Sequence, residues 1–212
     1  MLECRNLVCV RGDRLLFRGL SLSLGPGELL RVVGPNGVGK TSLLRLVAGI
    51  ARPEAGEVRW RGELIGRGEI FRRELLYLGH AAAVSEQLTA LENLRFACTV
   101  SGEAADEEAC VAALTRFGLG DALDLPLGVL SQGQRRRVRL ARLFLAAARP
   151  LWVLDEPFTA LDTEAVKLLA EQVSAHCAAG GMVMYTTHQD VELARASRLL
   201  NPGDFVGRER AC

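Results

Sequence analysis

Residues 34–41 read GPNGVGKT, and this stretch restricts the fold more than any other. A G-x-x-x-x-G-K-[ST] loop needs a strand leading in and a helix leading out. Its glycines let backbone N–H groups close around phosphate oxygens, and the helix N-terminus adds a partial positive charge. The flanks agree: Glu28 to Val33 is a nearly continuous apolar run that predicts a buried strand. After Lys40, Leu43, Leu44, Leu46 and Val47 recur at helical spacing before a stop at Gly49. A glycine-rich turn with an exposed lysine would not require this context. The loop therefore assigns Gly34, Pro35, Asn36, Gly37, Val38, Gly39, Lys40, Thr41 and Ser42 to the phosphates of a nucleotide such as ATP. Lys40 would reach the β- and γ-phosphates, and the Thr41 hydroxyl would be a ligand for Mg2+.

Around that unit, strand and helix patterns alternate. Leu20, Leu22 and Leu24 alternate with serines up to the turn Gly25-Pro26-Gly27, and GEVRWRGELIG (56–66) has the form of a hairpin. LLYLG (75–79), PLWVLD (150–155) and GGMVMYTTH (180–188) predict buried strands, and TEAVKLLAEQVSAHC (163–177) predicts a helix. Thr89 and Glu92 have capping-box spacing at the start of a helical stretch that runs to Gly118. Such an order predicts an α/β fold, one domain over 1–212, with a parallel sheet covered on both faces and a helical lobe at about 82–148.

Composition excludes several classes. Lys+Arg 26 against Asp+Glu 25 leaves a net charge of +1, so no global field draws the chain to nucleic acid. The six cysteines are scattered, without the spacing of a disulfide framework or a zinc site; they read as small buried hydrophobes in a reducing compartment. The N-terminus carries Glu3 and has no long apolar core, unlike a signal peptide. The longest apolar stretch, LFLAAARPLWVL (143–154), is interrupted by Arg149 and Pro150 and is too short to span a bilayer. The expectation is a soluble chain whose membrane role, if any, passes through a partner.

Two more segments carry chemistry. In PLWVLDEP (150–157) an apolar strand ends in two carboxylates, at the end of a parallel sheet where ligands bind. Neighbouring strand residues point to opposite faces, which predicts separate roles: Asp155 toward Mg2+ or its waters, Glu156 as the base that polarises an attacking water. In LSQGQRRRVRLARL (130–143), Ser131 and Gln134 have the spacing of an N-terminal box, and Gly133 leaves the backbone open to an anion. The helix that follows would place Val138, Ala141 and Leu145 on one face and Arg135, Arg139 and Arg142 on another, solvated face.

Taken in order, these motifs resemble those of ATP-binding cassette (ABC) ATPases over essentially the whole chain. LSQGQ (Leu130, Ser131, Gln132, Gly133, Gln134) is similar to the family's LSGGQ signature, with Gln132 replacing the first glycine. The resemblance implies a P-loop NTPase with a RecA-like core, an N-terminal antiparallel β lobe and the helical lobe. It also implies a head-to-tail dimer in which each signature acts in trans on the partner's γ-phosphate. The TALD segment ending in Asp162 would cross between the two sites, and His188 would contact the γ-phosphate. His80 falls where the family usually has a glutamine that senses Mg2+ and the membrane partner. Arg11 falls where an aromatic side chain usually stacks on adenine, and a guanidinium can stack in its place; a solvated arginine is the alternative.

The histidine at position 80, the segments LDEPFTALD and TTHQ, and the short chain resemble the ATPase subunits of cytochrome c maturation (haem exporter) complexes. That resemblance implies an integral membrane permease partner and a place on the cytoplasmic face of the bacterial inner membrane. It further implies ATP hydrolysis coupled to haem export or to release of a haem-loaded chaperone. Three alternatives stay open on sequence: the ATPase of another ABC exporter or importer, a soluble ABC protein acting on ribosomes or DNA, and a regulatory module that closes on ATP without turnover.

Overall fold

The chain begins as a long antiparallel hairpin, β1 (Leu2–Arg11) and β2 (Arg14–Leu24). Arg11 pairs with Arg14 across a two-residue turn in which Gly12 takes a φ of 57°, the positive value that such a turn needs at its first central position. A computed structural model describes residues 1–67, 69–79, 84–103 and 105–206. After β3 (Leu29–Val32) and α1 (Lys40–Val47), β4 (Ala55–Trp60) returns to pair with β1, and β5 (Glu63–Leu64) pairs with β4 within the segment 56–66 that the sequence reads as a hairpin. The result is an antiparallel sheet in the order β2-β1-β4-β5, the expected N-terminal β lobe.

The second sheet is parallel. Next come α2 (Glu69–Glu74), β6 (Leu75–Leu78), α3 (Ala90–Ser101), α4 (Glu107–Arg116) and α5 (Gln132–Leu145). β7 (Leu151–Leu154), α6 (Thr163–Ala178), β8 (Met182–Thr186) and β9 (Arg198–Leu200) complete it. The strand order is β6-β7-β8-β3-β9. Of the five strands of this sheet, only β9, an edge strand of three residues, lacked a pattern in the sequence.

Every residue of β7 and β8 is buried, because helices or the β lobe cover both faces of the sheet. Alternate residues therefore divide between two cores. Leu30, Val32, Leu151, Val153, Met182 and Met184 pack with α1 and the β lobe. Leu29, Trp152, Leu154, Val183 and Tyr185 pack with the helices α3 to α6. Full burial of one such side chain contributes about 1.5–3 kcal/mol.

Both predicted helix boxes form. Thr89 accepts from Glu92 N–H at 3.1 Å and Glu92 accepts from Thr89 N–H at 2.8 Å; Ser131 and Gln134 do the same at 3.2 and 2.9 Å. The arginine stripe of α5, however, is not a solvated face. Arg139 is half-buried and donates to the carbonyl of Gly79, and burial, with the charge of Arg136 behind it, pulls it down to about 10. Arg142 pairs with the buried carboxylate of Glu103 at 2.6 Å, and Arg149 meets the same carboxylate at 3.0 Å. Arg135 spans Glu86 and the carbonyls of Gly128 and Leu130. The cause is tertiary: α5 packs against α3, α4 and α6, and loop carbonyls brought against it need donors.

Candidate active site

The site forms where the parallel strands end. β3 runs into the phosphate loop, whose Gly34 and Gly39 have φ values of 122° and 110°. A Cβ at Gly39 would lie 3.2 Å from the Phe17 ring, and one at Gly34 would lie 2.6 Å from Asn201 Oδ1; both positions combine a backbone unsuited to L side chains with a lack of space. α1 then starts with no side-chain cap and no acid in its first turn. By contrast α3, α4, α5 and α6 each begin under a side-chain cap, from Thr89, Asp106, Ser131 and Asp162. The first-turn N–H groups of α1 are therefore left for an anion. Lys40 is buried, and its ammonium donates to the carbonyls of Gly34 at 2.7 Å and Pro35 at 3.2 Å. It is one of two lysines in an arginine-rich chain, with Lys167, and a compact point charge fits the crook of a loop better than a planar fork.

At the end of β7, Asp155 is 2% exposed. Its Oδ1 accepts from the Thr186 hydroxyl at 2.7 Å, while its Oδ2 is buried with no hydrogen-bond partner. Strand alternation was the expected reason that Asp155 and Glu156 point apart, and the structure corrects it. β7 ends at Leu154, and Glu156 has a φ of 52°, so a left-handed turn separates the two carboxylates. That conformation costs a non-glycine residue about 1–2 kcal/mol. It is held at both ends: Glu156 N–H donates to Thr186 Oγ1 at 2.8 Å, and the Glu156 carbonyl accepts from Arg136. The Glu156 carboxylate lies 3.3 Å from His188 Nε2 and 3.4 Å from the Thr159 hydroxyl.

One cleft of about 620 Å3 gathers Asn36, Gly37, Gly39, Lys40, Thr41, Ser42, Glu156 and His188 with Arg11 and Arg14 at its mouth. The hairpin register explains both arginines, since pairing across the turn sets them side by side. Sequence reasoning named Arg11 and missed Arg14, although the spacing R-G-D-R carried the signal. It also missed Thr186 and Arg136, whose contacts join segments far apart in the chain.

The structure does not bring the signature to this cleft. Among the described residues, none of Leu130 to Gln134 lines it; Gln132 lines a separate cleft with Arg135, Arg136 and Arg139. Asp162 caps α6, accepting from Ala165 N–H at 2.9 Å, and pairs with Arg137. His80 lies outside the described residues. The five described cysteines are free and buried. Among the described residues no helix is long and apolar enough to cross a membrane.

Known proteins agree with this architecture. The ABC transporter family profile matches residues 17–159. The cytochrome c biogenesis ATP-binding export protein CcmA of Aromatoleum aromaticum is 65% identical over 195 residues, covering 92% of this chain and 91% of that protein. The protein of the same name from Dechloromonas aromatica is 53% identical, covering 91% and 95%. Among solved structures, a putative ABC transporter ATP-binding protein from Pyrococcus furiosus superposes with a TM-score of 0.81 at 26% identity, covering 96% of this chain and 98% of that one. A dimeric ATP-binding cassette in a post-hydrolysis state with ADP and phosphate superposes with a TM-score of 0.81, covering 96% and 95%. At 23% identity, the latter shows the fold alone.

Proposed function

The chain belongs to the ABC transporter family and is an ABC-type ATPase, and on that premise we propose that it powers a membrane complex serving cytochrome c biogenesis. The observation that carries the catalytic part of this reading is the shared cleft, where Lys40, Glu156 and His188 line one space with the phosphate loop. ATP binds with its phosphates on the loop N–H groups and the uncapped start of α1. Lys40, now bonded to two neutral carbonyls, turns to the stronger charge of the β- and γ-phosphates. Glu156 orients the attacking water and, with His188 beside it, keeps water and γ-phosphate in line. Arg11 and Arg14 flank the base and sugar.

The residues also fit Mg2+. Thr41 offers a hydroxyl at the loop, and Asp155 Oδ2 is a buried carboxylate oxygen without a partner; a site of one carboxylate, a hydroxyl, substrate phosphates and water suits this ion. When bound, it offsets the charge that gathers on the phosphates.

A second copy completes the site. Ser131, Gly133 and their neighbours stand apart from the cleft of their own chain, which supports a head-to-tail dimer with Asp162 near the crossing. The permease docks on a groove of about 320 Å3 between β6 and α3, lined by exposed Ile50, Phe96 and Val100 together with Gly79. On this reading the chain sits at the cytoplasmic face of the inner membrane, and the printed function of the relatives, export in cytochrome c biogenesis, is the one it serves. Haem movement and release of a haem-loaded chaperone are the two forms that coupling can take.

The test is covalently bound haem in c-type cytochromes of cells whose only copy is Lys40→Ala at normal abundance. Loss of c-type cytochromes with other haem proteins intact is the expected result. Normal cytochromes would sink the biogenesis assignment and point to a different permease.

A further inference from the structure

We propose that Arg136 is a positioning residue for Glu156: from the first turns of α5, its guanidinium fixes the backbone turn that aims the Glu156 carboxylate. This rests on the reading of Glu156 as the group that orients the attacking water. Arg136 Nη2 donates to the carbonyls of Glu156 and, at 3.3 Å, of Asp155. The Glu156 carbonyl also accepts from Thr159 N–H at 3.3 Å. Arg136 thus braces the first carbonyl of the turn 156–159, whose leading residue has a φ of 52°. Thr186 holds the amide end of the same residue. With both ends of the Glu156 backbone tied, its carboxylate stays beside His188 and the Thr159 hydroxyl.

A simple structural tie would not call for this side chain. Both acceptors are neutral carbonyls, which an uncharged amide could serve. Among the described residues no carboxylate lies within ion-pair distance of Arg136, and its Nε is buried without a partner. Burial disfavours its charge, opposed only at longer range by the carboxylates of Asp155 and Glu156. The like charge of Arg139 lies on the next turn of the same helix. Burying a guanidinium in this way costs stability. In return, a rigid, multiply donating group grips a turn that would otherwise relax out of its left-handed backbone.

The position in the chain adds a consequence. Arg136 follows Gln134, the last residue of the capping box, by two residues, so a shift of the start of α5 reaches the Glu156 turn through its guanidinium. In the head-to-tail dimer, that start is the part that meets the other copy's nucleotide. Contact with one nucleotide would therefore set the aim of the carboxylate serving the other.

Steady-state MgATP hydrolysis by the full chain tests this, with Arg136→Met, Arg136→Lys, Glu156→Gln and the double variant Arg136→Met/Glu156→Gln. Binding of a fluorescent trinitrophenyl-ATP and the melting temperature are measured on each. Arg136→Met keeps the apolar stem and loses every donor. It is expected to lower kcat by about 10- to 100-fold while KM and nucleotide affinity stay within about twofold. Arg136→Lys, which keeps a charged donor, is expected to recover a large part of the loss. In single turnover, adding Arg136→Met to Glu156→Gln is expected to cause no further slowing, because the two act as a unit.

A wild-type kcat in Arg136→Met overturns the proposal. So does a joint fall of rate, affinity and melting temperature, or a failure to fold, either of which makes Arg136 a structural tie. Equal slowing in both backgrounds overturns it too, since Arg136 would then act elsewhere. A normal rate in Glu156→Gln would instead remove the role of Glu156 itself, whatever Arg136→Met does.

Discussion

The face of the parallel sheet turned to α1 and the β lobe is filled by Leu30, Val32, Leu151, Val153, Met182 and Met184. The opposite face sets Trp152, Leu154, Val183 and Tyr185 against helices that carry buried or half-buried charge. There Arg149 donates to the carbonyls of Arg72, Leu75 and Ser101 and pairs with Glu103, which also binds Arg142. His176 stacks on Trp152 with ring centroids 3.7 Å apart and its Nε2 unpartnered. Apolar contacts hold the first face without direction. Charged hydrogen bonds on the second specify which carbonyl meets which helix, and α5 is the element they fix in register with the catalytic turn.

The largest expected effect comes from breaking the charged face at its centre. Glu103→Ala leaves two buried guanidiniums without their shared carboxylate and should cost about 3–5 kcal/mol of stability, measured by urea unfolding. A cost below about 1 kcal/mol would mean that this triad behaves like a surface pair and that the contrast between the faces is empty. On the apolar face, Leu43→Ala should cost about 3 kcal/mol. That cost should be the same at about pH 5 and pH 8, because no titrating group is involved.

The smallest effect sharpens the contrast through pH. Burial pulls His176 down from 6.5 to about 4, with a hydrogen bond to the Pro150 carbonyl opposing it weakly. The unfolded chain therefore takes up this proton first as pH falls. The contribution of His176 is complete above about pH 6.5 and is lost progressively toward pH 4, amounting to about 2 kcal/mol by pH 5. His176→Phe keeps a ring against Trp152 and should flatten that part of the stability profile. An unchanged acid slope in His176→Phe would assign the loss to other groups.

Much of the site was legible because it is local. The phosphate loop couples glycine backbone freedom, a lysine and a helix start within eight residues, and each capping box needs only four. Asp155 and Glu156 were legible as a pair at a strand end, but the reason they diverge was not. Strand alternation is a rule for residues inside a strand, whereas Glu156 has already turned left-handed under the hold of Thr186 and Arg136. The arginines of α5 were misread for a similar reason. Helical spacing tells which residues share a face, not what covers that face, and here α3, α4 and loops ending at Gly79 and Glu156 cover it.

The amino-acid pattern by itself determined the α/β class, the parallel sheet, the phosphate loop with Lys40 and Thr41, and the helix starts at Thr89 and Ser131. Each depends on forces acting over one or two turns or a single strand. Tertiary structure alone decided that Arg14 lines the cleft beside Arg11, that Thr186 joins Asp155 to Glu156, and that the arginines of α5 serve partners from other segments of the chain. Those choices follow from which carbonyls and carboxylates lose water when distant segments pack together, because a polar group shut away from solvent must find its partner wherever the fold has put one.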